Sequence, residues 1–71
     1  MPSLVEYHIA RLQDKNPAVR LKSINELRLI GDPAALESLE QLYKTESDPE
    51  VRKAAQDAGR ELYVKSKKGG G

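Results

Sequence analysis

Asn16-Pro17-Ala18-Val19-Arg20 and its echo, Asp48-Pro49-Glu50-Val51-Arg52, decide how this chain reads. Each sets a short polar residue before a proline, then a Val-Arg pair after one intervening position. An Asn or Asp side-chain oxygen can accept an N–H that the first helical turn leaves without a partner. Proline suits the first helical position, where its missing N–H had no intrahelical bond to make. The same start signal placed twice, 32 residues apart, marks a short helical repeat.

Working outward, Asp32-Pro33 supplies a third start, and Ser3 with Glu6 makes a capping box for a fourth. Four helices are expected: residues 3–14, Pro17 to a stop at Gly31, residues 33–46, and Pro49 to about 64. Val5, Ile9 and Leu12 have the i, i+4, i+7 spacing of Ala35, Leu39 and Leu42, 30 residues later. In the second helix Val19, Ser23, Leu27 and Ile30 share a face, with Ile24 at its edge. Val51, Ala55, Ala58 and Leu62 match Val19, Ser23, Glu26 and Ile30, while Gly59 replaces Leu27. Ile9, Leu12, Val19, Leu27, Ile30, Leu39, Leu42, Val51 and Leu62 are the expected core. A mid-helix glycine is costly, so close approach by a neighbouring backbone is the expected motive for Gly59.

The whole pattern fits within 71 residues, enough for one small domain. There is no cysteine to form a disulfide or thiolate metal site, and no Trp or Phe, so the core is aliphatic. Twelve Lys and Arg against eleven Asp and Glu argue against a nucleic-acid binder, which is usually strongly basic. No apolar run is long enough to span a membrane and no signal peptide is evident, so a soluble, cytoplasmic chain is the expectation. The domain is expected to cover residues 1–64, leaving 65–71 as a disordered basic and glycine tail.

The run Asn16-Pro-x-Val-Arg, Ser23, Leu27, Ile30-Gly31-Asp32-Pro33-x-Ala35-Leu36-x-x-Leu39 resembles a HEAT repeat. More narrowly it is similar to the short HEAT-like repeats of the phycobilisome-lyase type. Asn16 departs from the usual Asp, and Gly59 from a larger apolar residue. The resemblance implies an all-α fold of two helical hairpins stacked as a short right-handed solenoid, the second helix of each lining the concave side. It also implies that Arg20 bonds turn carbonyls or reaches Asp48, and that Arg52, with no following repeat, is freer.

The residues themselves suggest no catalytic, cofactor or metal site. His8 is the sole imidazole and has no second His or Cys to converge with. Glu37, Glu40, Asp57 and Glu61 read as a solvated helical face, and no nucleophile or phosphate-loop motif occurs. The candidate site is instead the outward strip of helices 2 and 4: Leu21, Asn25, Arg28 and Leu29, with Lys53, Asp57, Arg60 and Glu61 at equivalent angles. Exposed Leu beside Arg suits a protein partner. The chain is therefore expected to be a non-enzymatic protein–protein interaction module, a scaffold or adaptor. An accessory subunit handling a bilin or its carrier protein is the alternative, and nucleic-acid binding comes third. Weak self-association is expected through the helix 4 end, where Ala54, Ala55, Ala58 and Gly59 make a smooth face beside Tyr63.

Overall fold

Each start signal is used as a cap in the structure, a computed structural model that describes residues 3–69. The elements are α1 (Leu4–Arg11), α2 (Pro17–Ile30), a single 3₁₀ turn (Pro33–Ala35), α3 (Leu36–Thr45) and α4 (Pro49–Gly69). Ser3 and Glu6 form the reciprocal capping box of α1. Asn16 Oδ1 accepts the Ala18 N–H at 2.9 Å, Asp32 Oδ1 that of Ala34 at 2.9 Å, and Asp48 Oδ1 that of Glu50 at 2.9 Å. Gly31 ends α2 in the left-handed conformation, φ 74°, which costs a residue without Cβ nothing.

Two helix boundaries differ from expectation. α1 gives way after Arg11 to tight turns in which Leu12, Gln13 and Asp14 bond three residues back. Those turns bring the chain round to Pro17 while leaving Leu12 fully buried. The third helix opens as a 3₁₀ turn rather than α-helix, seating Ala35 at 0% exposure before α3 begins. The expected tail also differs where it is described, because α4 runs on without a break to Gly69. No Pro or Gly occurs from Arg60 to Lys68, and the end of the Lys65 side chain lies against Gly31. An ammonium there meets the negative end of the α2 dipole. Gly70 and Gly71 lie outside the described residues.

α4 packs against both α2 and α3, and α1 packs against α2. The core holds Leu12, Ile24, Leu27, Ala35, Leu39, Leu42, Val51, Ala55, Ala58 and Leu62. Six of the nine expected core residues are among them, while Ile9, Val19 and Ile30 are half-buried. On α2 the buried face is turned from the Val19–Ile30 line toward Ile24, a rotation of roughly 60° at 100° per residue. It follows from α4 lying beside that flank, and Ala55 and Ala58 of α4 are buried in the core. The alanines of α4 are thus spent inside the fold and do not make an exposed smooth face. Gly59 is not the point of close approach either, since a Cβ added there would meet nothing within 4 Å.

Leu39 is completely buried, so Leu39→Ala should cost about 2–5 kcal/mol, and chemical denaturation should show much of this small domain unfolded. The two helical-repeat glycines should respond oppositely to alanine. Gly59→Ala should stabilise by about 0.5–1 kcal/mol through helix propensity, whereas Gly31→Ala should lower the melting temperature because its φ is positive and Lys65 occupies the space. Equal effects from the two would contradict this placement.

Candidate functional site

The second helices can present a defined surface only if the two hairpins hold one relative position. Arg20, on the first turn of α2, sets it. Its Nη1 donates to the carbonyls of Asp14 at 2.7 Å and Lys15 at 3.1 Å, closing its own turn. Its Nε and Nη2 donate to the two carboxylate oxygens of Glu46 at 2.7 and 2.8 Å, a fork-to-fork pair reaching the turn after α3. Glu46 Oε2 also accepts the Asp48 N–H at 3.0 Å, which ties the pair to the start of α4.

The Glu46 side chain is only 2% exposed, so its charge depends on these partners. The guanidinium hydrogen bond outweighs burial and holds the Glu46 carboxyl below the usual glutamate range, while the same bond raises Arg20. The expected reach of Arg20 to Asp48 is therefore corrected: the carboxylate is Glu46, and Asp48 serves α4 as its cap. Glu46 was missed in the sequence, though a signal was there. Asp14 and Glu46 each stand two residues before a capping residue and its proline, 32 residues apart.

With the hairpins clamped, the proposed strip lies on adjoining helices. Asn25, Arg28 and Leu29 of α2 and Lys53, Asp57, Arg60 and Glu61 of α4 are all exposed. Arg28 and Glu61 come together at 3.7 Å across the α2–α4 seam. Leu29 is 71% exposed and is the most open large apolar residue of the strip. Leu21 differs from its companions, being half-buried against the core, so its role is packing.

A second surface lies on α3 and α4 alone. It is an open groove of about 270 Å³ between Leu36, Leu39, Tyr43, Gly59, Arg60 and Tyr63, among others. At one end of α3, the Arg52 guanidinium sits over the Tyr43 ring, 4.8 Å from its centre. His8 is half-buried, edge-on to Tyr7 at 5.1 Å, with no hydrogen-bond partner on Nδ1. Among the described residues no group of three His, Asp or Glu gathers to hold a metal, and no helix is long and apolar enough to cross a membrane.

Compared with known proteins, residues 1–59 match the family model for HEAT repeats. The match is to HEAT repeats in general and does not extend to the phycobilisome-lyase type. No match was found among curated proteins or among solved structures. HEAT repeats generally mediate contacts between proteins.

The acid side of the stability profile tests the clamp. Glu46 is more acidic folded than unfolded, so its contribution is complete above about pH 4.3 and is lost as pH falls through the lower folded value. Glu46→Gln keeps the size and removes the ionisation. In urea titrations from neutral pH to about pH 3, the wild-type advantage over Glu46→Gln should shrink as the pH drops. A gap independent of pH would mean that the carboxylate charge is not what the turn depends on.

Proposed function

The chain belongs to the HEAT-repeat family, and we propose that it works as a scaffold or adaptor, docking a protein partner on the ridge of α2 and α4. The observation that carries this reading is the Arg28–Glu61 bridge, which makes one surface of two exposed strips. Leu29 adds an exposed apolar contact on α2. Asn25, Arg28, Lys53, Asp57, Arg60 and Glu61 add polar groups of both signs. Exposed Leu beside polar side chains, with Arg prominent, suits an interface between proteins. The role asks for a rigid surface and for no catalytic group. Rigidity comes from the Arg20–Glu46 clamp, which holds the two helices before any partner arrives, so little ordering entropy is lost on docking.

Leu29→Lys should remove the apolar part of such a contact without harming the fold, because the residue is 71% exposed. Its melting temperature should stay near that of wild type. Binding to a partner captured by the wild-type protein, measured by titration, should weaken roughly 30-fold, as for loss of an interface anchor worth about 2 kcal/mol. A partner bound equally well by both proteins would place the interface elsewhere.

A further inference from the structure

The two turns that precede α2 and α4 share a pattern of hydrogen bonds. Asp14 Oδ1 accepts the Asn16 N–H at 2.9 Å, and Glu46 Oε2 accepts the Asp48 N–H at 3.0 Å. Asn16 and Asp48 then cap their helices, and their carbonyls accept the N–H of Arg20 at 3.1 Å and of Arg52 at 2.9 Å. The difference lies in the arginines. Arg20 holds the carboxylate of the following turn, whereas Arg52 makes no ion pair among the described residues and rests on Tyr43. Asp14 likewise carries no ion pair, although it stands where Glu46 stands in the second hairpin.

Arg52 and Asp14 are the equivalents of Arg20 and Glu46, one on each hairpin. We infer that a second copy of this chain docks head to tail on the α3–α4 groove, its Asp14 meeting Arg52 as Glu46 meets Arg20. The apolar contacts follow the same register. Val51 and Leu62 are the buried α4 residues of the intrachain junction, and their equivalents Val19 and Ile30 remain half-buried in a single copy. Seated on the groove, Val19 and Ile30 of the second copy would meet a surface where Gly59 leaves open space.

The same register sets the strength. Glu26, Gln56 and Gly59 stand where the intrachain junction has Ala58, Ile24 and Leu27, so the contact between copies buries less apolar surface. Asp14 is also one methylene shorter than Glu46. The association is therefore weak and depends on the charge pair, so salt reduces it. Each head-to-tail contact leaves one face free at either end, so the assembly grows unless the rotation between copies closes a ring. This face shares Arg60 with the α2–α4 ridge but neither Leu29 nor the Arg28–Glu61 bridge, so its failure would leave the ridge reading standing.

Sedimentation of the 71-residue chain across a concentration series up to about 1 mM tests this, since weak contacts of about −4 kcal/mol half-form there. The expected result is a sedimentation coefficient that rises with concentration without a dimer plateau. Arg52→Glu and Asp14→Asn should each weaken self-association at least about tenfold, the scale of a lost charge-assisted pair. Asp14→Asn keeps an oxygen for the Asn16 N–H, and melting curves of both variants establish that they fold. Mixed together, the two variants should form a one-to-one pair and nothing larger, because one intact junction remains between Asp14 of the Arg52→Glu chain and Arg52 of the other. A wild-type chain that stays monomeric at about 1 mM, a closed dimer, or a mixture that fails to pair would each overturn the proposal.

Discussion

The nearly buried carboxylate of Glu46 is the constraint on which the arrangement of this molecule depends. Removing an ion from water costs several kcal/mol, and an unpaired charge in that turn would be strongly destabilising. Arg20 answers it with the planar fork that matches a carboxylate, and its remaining donor closes the turn of its own hairpin. Breaking such a pair by removing one partner is strongly destabilising, because the other charge is left buried and uncompensated. Any slide or rotation of one hairpin against the other would separate the oxygens from the fork and leave both charges poorly solvated. The Arg20–Glu46 pair thus ties three segments together: the turn after α1, the turn after α3, and the start of α4.

Once that register is held, residue size decides how the helices pack. Ala55 and Ala58 let α4 settle against the core that Ile24 and Leu27 help to fill. On its other flank α4 carries Gln56, Gly59 and Tyr63, and a groove stays open against α3. The same helix is therefore closely packed on one side and unfilled on the other. The exposed ridge sits between these two flanks. Its side chains are presented by a helix pair whose spacing was settled in the core.

Much of this was legible in the sequence, and the reasons are local. An N-cap followed by proline, or for α1 a capping box, specifies a helix start through bonds made within three residues, so all four starts could be read directly. The i, i+4, i+7 stripes located the core faces of α1 and α3, and the same exposed strip on α2 and α4 followed from periodicity. Where interpretation failed, a distant partner had intervened. Val19 and Ile30 fit the stripe of α2 as well as Ile24 does, and only the position of α4 makes Ile24 the buried one. Leu21 reads as an outward residue until the core is found beneath it.

Gly59 and Glu46 mark the boundary most clearly. A glycine in a helix suggests a crowded backbone, yet here the crowding is at Ala55 and Ala58 and the glycine faces a groove. A glutamate between helices reads as a solvated turn residue, yet it is the acceptor that joins the hairpins. The sequence by itself determined where each helix begins, that there are two hairpins, and which repeat they echo, because those follow from short-range bonds and the 3.6-residue period. Only the tertiary structure decided which flank of α2 is buried, which acid Arg20 binds, and which side of α4 stays open. Those depend on contacts between residues about 26 apart or more, where the backbone path, and not the local pattern, brings the partners together.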